Sequence, residues 1–296
     1  MKKIFTILLL IVVGSLNAQQ LPHYSQYLLN DFVINPAVAG SRGIYEARTN
    51  HRNQWVGIVD APRTFILSVQ GATESGKVGL GGTVFNDVAG PTRRTGFDFS
   101  YAYHFNLTSD IKMSLALSAG LLQFAIDGSR VTLRDPGDEL FASTVQASLV
   151  PDFGFGFYIY SDKFFFGGSA PQLTQNKLSF FDNINGEAKL EDHYFLSGGY
   201  KFKINDELDI QPYALIKYVQ PAPVQVDVSA RVIYADNVWL GATFRTRDAY
   251  SVVFGFQPSE NLVIAYSYDY TLSGLRRYST GTHEVMLGIN FVKKKD

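Results

Sequence analysis

The stretch that decides the fold is GFDFSYAYHF, residues Gly96–Phe105. Its aromatic residues alternate with Asp98, Ser100, Ala102 and His104. Successive side chains of a β-strand point to opposite faces, so this alternation predicts a strand with one aromatic face and one mostly polar face. The aromatic face consists of Phe97, Phe99, Tyr101, Tyr103 and Phe105.

The same period of two recurs along most of the chain. In Val224–Tyr234 and His283–Phe291, apolar residues again alternate with polar or small ones. Counting such segments predicts about fourteen strands, no long helix and no domain boundary after residue 44. The predicted strands lie near residues 44–51, 64–71, 77–86, 95–105, 111–125, 150–160, 163–169, 193–204, 208–218, 224–235, 238–247, 250–258, 262–271 and 282–292.

The composition narrows the class of protein. The 296 residues include 26 Lys and Arg against 27 Asp and Glu, a net charge of −1, which argues against a nucleic-acid partner. Cysteine is absent, which excludes disulfides and thiol chemistry. Charged residues make up only 18% of the chain and aromatic residues 14%. Soluble domains carry roughly 25% charged residues, so this chain suits β-structure in an apolar environment.

The first eighteen residues have the pattern of a secretory signal peptide. Two lysines, Lys2 and Lys3, precede an apolar run over residues 4–13, and small residues lead to a predicted cut after Ala18. The run is too short to span a bilayer, and no later run reaches about 18–20 apolar residues. If the exported chain is a membrane protein, it must therefore be a β-barrel.

The predicted connections alternate between short and long. Short connections rich in Gly, Asn, Asp and Ser fall near residues 74–76, 106–110, 161–162, 205–207, 236–237 and 259–261. Longer ones are predicted at residues 52–63, 87–94, 126–149, 170–192 and 272–281. This pattern predicts an all-β transmembrane antiparallel barrel of about fourteen strands over residues 44–296, with short turns and both chain ends in the periplasm. A secreted β-sandwich is the alternative, but it has no reason to separate loop lengths by end.

Several motifs occur in an order that resembles a known family. They are QQLPHYSQYLLNDFVINPAVAG at residues 19–40, RNQW at 52–55, Asn86-Asp87 with Gly90, SYDYTLSGL at 267–275 and THE at 282–284. The mature chain is similar to the PorP/SprF outer-membrane proteins of the type IX secretion system of Bacteroidota. The resemblance implies a structural and interaction role in the outer membrane rather than an enzyme.

The resemblance also implies partners. They are periplasmic ring or peptidoglycan-linked components of type IX secretion, or a large secreted adhesin of gliding motility that the barrel helps to secrete or anchor. Lipids of the outer membrane would surround the wall. A passive diffusion porin is the alternative function, because fourteen strands can enclose an aqueous lumen.

Residues 19–43 are predicted to form a separate N-terminal segment. It is too rich in apolar side chains, including Tyr24 and Tyr27, to float freely, and Asn35-Pro36 would end any helix begun before it. We expect the segment to pack in the periplasmic mouth or the lumen, or to dock a periplasmic partner. A simple plug with no partner is an equally good interpretation.

Candidate partner-binding residues come from this segment and from the strand ends. Arg52 and Trp55 are of types enriched at binding hot spots, although Trp55 could join an aromatic girdle and Arg52 could pair with Asp87. Phe180 and Phe181 lie in a long loop, where they could form a partner surface or fold over the lumen. The candidates are Tyr24, Tyr27, Asn35, Pro36, Arg52, Trp55, Asp87, Phe180, Phe181, Asp269 and Tyr270.

Charges on the polar faces of the strands should line the lumen. There we expect them to pair with one another or with the N-terminal segment, because interior charges require partners or water. They are Asp98, Lys201, Lys203, Asp227, Arg231, Arg245, Arg247 and Glu284.

No motif points to catalysis, a metal or a cofactor. The five histidines show no HExxH pattern or close pairing, and neither GxSxG nor GxxxxGK[ST] occurs. We therefore expect no metal site, no cofactor and no enzymatic activity.

Overall fold

A computed structural model describes residues 24–131, 145–178, 188–220 and 222–291. The predicted signal peptide and the paired residues Phe180 and Phe181 lie outside these ranges, so the predictions made for them remain predictions. The strands within these ranges are β1 Tyr45–Asn53, β2 Arg63–Ala72, β3 Val78–Ala89, β4 Thr92–Asn106, β5 Lys112–Asp127, β6 Val145–Tyr160, β7 Phe164–Ala170, β8 Lys177–Leu178, β9 Ala188–Lys189, β10 His193–Tyr200, β11 Phe202–Lys203, β12 Leu208–Val219, β13 Gln225–Tyr234, β14 Val238–Arg245, β15 Ala249–Ser259, β16 Leu262–Thr271 and β17 Thr282–Phe291.

The strands close into a barrel. Strands β1 to β7 pair in sequence order, β7 pairs with β10, β10 with β12, and β12 to β17 follow in order. Pairing of β17 with β1, from Tyr45 opposite Phe291 to Asn53 opposite His283, closes the ring. Fourteen antiparallel strands form the wall, since β8 and β9 make a separate hairpin and β11 continues β10 beyond Lys201. The prediction of a barrel of about fourteen strands is confirmed.

The two faces of the wall follow the predicted alternation. In β4 the side chains of Phe97 and Tyr101 are about half exposed on the outside, at 51% and 47%, whereas Ser100 and His104 are buried inside. An exposed wall of large apolar side chains is stable only where lipid covers it. The outer face of the barrel is therefore the lipid-facing surface.

The lengths of the connections distinguish the two ends of the barrel. Connections of nine and ten residues, 54–62 and 272–281, lie at one end, together with the β5–β6 and β7–β10 connections, and we call this the long-loop end. The other end, where β2 turns into β3 and β4 into β5, is the short-turn end. In bacterial barrels the short turns face the periplasm.

The prediction of a long loop at residues 87–94 is wrong. Strand β3 continues to Ala89 and β4 begins at Thr92, so only Gly90 and Pro91 connect them. Gly90 adopts a positive φ of 57°, which glycine permits at little cost in a tight turn. The polar sequence Asn86-Asp87 resembles a loop in composition, but both residues pair with β2 and β4.

The helices of the described chain are single 3₁₀ turns at Asp31–Val33, Pro36–Val38, Gly128–Arg130 and Gly274–Arg277. Within the described ranges, no helix has the length and the apolar character needed to cross a membrane.

Candidate functional site

Residues 24–43, which we call the lumen segment, run inside the barrel and end at its mouth, where Arg42 and Gly43 are exposed. Tyr27, Phe32, Ala37 and Val38 are buried, and Tyr27 keeps only 3% of its surface exposed. The segment begins at the long-loop end, where Ser25 contacts Glu284 near the start of β17. It therefore runs along the lumen before the chain enters β1 at the short-turn end.

The sequence of the lumen segment explains its compact course. Asn35 accepts a hydrogen bond from the Ala37 amide at 3.0 Å, which caps the turn Pro36–Val38. The Asn35 side chain also donates to the Phe157 carbonyl of β6 at 3.0 Å. Proline at the first position of the turn needs no amide donor. Asn35-Pro36 thus ends one turn, starts the next and ties the segment to the wall.

Glycines in the wall give the lumen segment room. A Cβ atom added at Gly79 of β3 would lie 1.8 Å from the Ala39 oxygen, and one at Gly156 of β6 would lie 2.3 Å from the Asn35 side-chain oxygen. The wall is therefore shaped to let this segment approach the backbone of β3 and β6.

A buried polar cluster holds the first turn of the lumen segment. We call Ser25, Arg52, Asp269 and Glu284 the Ser25 cluster. The Ser25 amide donates to Glu284 Oε2 at 2.8 Å and its hydroxyl to Asp269 Oδ2 at 2.7 Å. Arg52 donates to Asp269 at 2.7 Å and to Glu284 at 3.1 Å. Each charge thus has an opposite charge and a neutral partner, which buried ions require.

Further ion pairs extend the Ser25 cluster around the wall. Arg245 lies 3.2 Å from Asp227, 3.2 Å from Asp248 and 3.6 Å from Asp269, and Lys217 lies 3.0 Å from Asp227. The expected pairing of interior charges is therefore found for Asp227 and Arg245, as it is for Glu284 in the Ser25 cluster.

A second set of ion pairs holds the last turn of the lumen segment at the short-turn end. Arg42 binds both carboxylate oxygens of Asp31, at 2.7 and 2.8 Å, and lies 3.0 Å from Glu46. Glu46 in turn pairs with Arg48 at 2.8 Å.

Neutral hydrogen bonds fix the middle of the lumen segment. Asn30 donates to Asn50 at 2.9 Å and accepts from Ser68 at 2.9 Å. His104 bonds the Ala39 carbonyl at 2.8 Å, and Ser114 donates to the Ala37 carbonyl. The polar face of the strands, which a porin would present to water, here binds the chain's own N-terminal residues.

The structure places the predicted site residues in three environments. Tyr24, Tyr27, Asn35 and Pro36 lie in the lumen segment, and the first three are buried. The predicted partner-binding role of these residues stays a prediction.

Arg52 and Asp269 belong to the Ser25 cluster. The alternative that Arg52 pairs with Asp87 is wrong, because Arg52 lies opposite Glu284 in the β1–β17 register. Asp87 instead accepts a hydrogen bond from Thr64 at 2.6 Å. Tyr270 is half exposed at 48%, next to Asp269 on the opposite, lipid-facing side of β16.

Trp55 lies in the β1–β2 loop at the long-loop end, with a positive φ of 48°. Its amide donates to the Thr282 hydroxyl at 3.0 Å. The Val56 amide donates to the Gly281 carbonyl, and the Thr280 amide donates to the Val56 carbonyl, both at 2.8 Å. These bonds hold the β1–β2 and β16–β17 loops side by side.

Sequence reasoning missed a surface on these two loops. We call it the Tyr278 surface. Tyr278 is 73% exposed and Val59 is 87% exposed, although both are apolar. The sequence does contain an indication of this surface, because apolar residues occur within the predicted loops. The Tyr278 surface consists of Val56, Val59, Leu275, Arg276, Arg277 and Tyr278.

The closed antiparallel ring, with aromatic side chains outside and polar side chains inside, defines an outer-membrane β-barrel. A family model described as the type IX secretion system membrane protein PorP/SprF matches residues 16–289. The chain belongs to this family.

Solved structures match most of the chain at very low sequence identity. A KdgM porin is 10% identical with a TM-score of 0.39, covering 83% of this chain and 98% of that one. The Acinetobacter baumannii outer membrane protein Omp33 is 7% identical with a TM-score of 0.48, covering 84% and 97%. A Pseudomonas aeruginosa FadL homologue is 9% identical with a TM-score of 0.45, covering 83% and 89%. No curated protein matches the sequence.

Proposed function

We propose that this barrel acts within type IX secretion by holding other proteins, and that it supports the secretion or surface anchoring of a client such as an adhesin. Family membership supports the connection with secretion. The observation that carries the holding role is the lumen segment, whose buried contacts occupy the interior from the Ser25 cluster to Arg42. A barrel whose lumen is occupied by its own chain is better suited to present surfaces than to conduct solutes.

Two ends are available for such contacts. The short-turn end faces the periplasm and would meet ring or peptidoglycan-linked components of the secretion machinery. The long-loop end faces the cell exterior and would meet the client. Lipids of the outer membrane cover the aromatic wall between them.

Deletion of the gene tests the proposal. We expect loss of one or a few proteins from the cell surface, measured by surface proteolysis and mass spectrometry, with recovery when the wild-type chain is restored. Purification in mild detergent should then recover either a periplasmic component or the missing surface protein. Unchanged surface proteins in the deletion strain would refute a role in secretion or anchoring.

The porin alternative lacks a supporting observation of this kind. A steady conductance of the intact protein, independent of partners, would favour it.

A further inference from the structure

We propose that the Tyr278 surface binds an acidic segment, carrying apolar side chains, of a protein displayed at the cell surface. This inference rests on the proposed function, since it names the face and the chemistry by which a client would be held. Three observations on the part of the chain that the structure describes carry it: the loops are fixed, their apolar side chains are exposed, and their arginines form no ion pair there.

The loops that carry the surface are fixed by hydrogen bonds. Besides the two bonds between Val56 and residues 280–281, the Asp60 carbonyl accepts from the Gly90 amide at 2.9 Å. Arg130 also forms an ion pair with Asp60. In the second loop, the Tyr278 amide donates to the Leu275 carbonyl at 3.0 Å. A surface fixed in this way loses little conformational entropy when a partner binds.

The apolar side chains of the surface lie where lipid does not cover them. Strand β1 ends at Asn53, and Val59 lies six residues beyond it. Tyr278 lies four residues before β17 begins. Leu275 and Val56 are 36% and 39% exposed in the same two loops. Contiguous exposed apolar residues outside the membrane commonly mark a protein-binding site.

The charge of the surface selects an acidic partner. Arg276 and Arg277 are exposed between Leu275 and Tyr278, and neither forms an ion pair with any residue that the structure describes. The prediction that Arg247 lines the lumen is wrong, because this residue is exposed in the neighbouring β14–β15 turn and forms no ion pair within the described ranges. Tyrosine and arginine are enriched in protein interfaces, where arginine binds carboxylates through two parallel hydrogen bonds.

Position favours a protein over an anionic lipid. Arg63 of β2 and Arg93 of β4 are exposed at strand ends on the outer side of the wall, where a lipid headgroup would lie. Arg276 and Arg277 instead belong to the β16–β17 loop, which is hydrogen-bonded to the β1–β2 loop at Val56. Binding of an anionic lipid should therefore depend on Arg63 and Arg93, and binding of a protein on Arg276 and Arg277.

A peptide-binding experiment tests the inference. The probe is a fluorescent synthetic peptide of alternating Asp and Leu residues, titrated against the full-length protein in nanodiscs and measured by anisotropy. We expect Arg276→Glu/Arg277→Glu to weaken binding about tenfold or more, and Val59→Ser/Tyr278→Ser to weaken it by a similar factor. The matched control Arg63→Glu/Arg93→Glu changes the net charge equally and should leave binding within about twofold.

Three results would overturn the inference: equal binding of a Lys and Leu peptide, equal losses in the two charge-reversal variants, or binding only of lipopolysaccharide added to the nanodiscs. The experiments can also refute the proposed function and the proposed binding surface independently of each other. If the gene deletion leaves the surface proteins unchanged, the proposed function fails. If the deletion removes them but Arg276→Glu/Arg277→Glu restores them fully, only the Tyr278 surface is wrong.

Discussion

Arg52 shows how one side chain joins the wall to the lumen segment. Its guanidinium is buried between Asp269 and Glu284, and it also donates to the Ser25 hydroxyl at 3.0 Å. Removing one member of a buried ion pair leaves the other charges without compensation. Arg52 is therefore needed for stability regardless of any contact with a partner.

We expect Arg52→Met to destabilise the folded barrel by about 3–5 kcal/mol, because Glu284 loses its cationic partner in a buried site. Equilibrium unfolding in urea, with the protein refolded in detergent, measures the change. The matched control is Arg63→Met, which removes an exposed arginine and should cost less than about 1 kcal/mol. Equal losses in the two variants would show that the Ser25 cluster contributes nothing specific.

Gly79 provides a second test at the residue scale. We expect Gly79→Ala to cost about 1–3 kcal/mol and to loosen the lumen segment, because the added Cβ would overlap the Ala39 carbonyl. Faster trypsin cleavage after Arg42 measures the loosening. The control is Gly241→Ala, where the nearest atom to the new Cβ is 3.4 Å away. Unchanged cleavage in Gly79→Ala would contradict the close approach.

At the scale of elements, the lumen segment depends on its contacts at the short-turn end. We expect Arg42→Ala to raise the hydrogen-exchange rate of the Gly40 amide about tenfold, because Asp31 and Glu46 lose their shared partner. That amide donates to Gln70 at 2.6 Å, so its exchange reports whether the segment is docked. Arg276→Ala, at the opposite end, is the control and should leave this rate unchanged.

The elements differ in how far the sequence predicts them. Alternation located every strand of the wall, because a lipid-facing side and a lumen-facing side impose a period of two. The prediction for 193–204 merges two strands, since a break at Lys201 leaves no mark in the pattern. The β3–β4 turn was predicted too long because Asn86-Asp87 and Arg93-Arg94 are polar, although they lie in strands.

The candidate site was harder to predict than the strands. The length and apolar character of residues 19–43 predicted a packed segment, but not which wall residues it meets. Ser25 and Asp269 are 244 positions apart in sequence, and nothing local in either residue indicates the contact. The Tyr278 surface was missed because exposure of an apolar loop residue depends on how neighbouring loops pack.

At the scale of the whole molecule, the presence of the lumen segment inside the barrel predicts how the barrel conducts ions. We expect the intact protein in a planar bilayer to show no steady channel, and a variant lacking residues 24–40 to show one. The reason is that removing the segment leaves a fourteen-stranded ring lined by polar side chains, which can hold water. A steady conductance in the intact protein would contradict this, and near-native circular dichroism of the truncated variant is the control for folding.

The course of the lumen segment also changes how many times the described chain passes through the membrane. Fourteen strands cross the membrane an even number of times, which by itself returns a chain to the side where it started. The lumen segment adds one more passage, from Tyr24 at the long-loop end to Gly43 at the short-turn end, so the described chain makes fifteen. The first and last described residues, Tyr24 and Phe291, therefore lie toward opposite ends of the barrel. We expect an epitope inserted just before Tyr24 to be reached by antibodies on intact cells, and one placed after Phe291 only once the outer membrane is permeabilised. Access to the first epitope only after permeabilisation would instead support the expectation, from the alternation of short and long connections, that both chain ends lie in the periplasm.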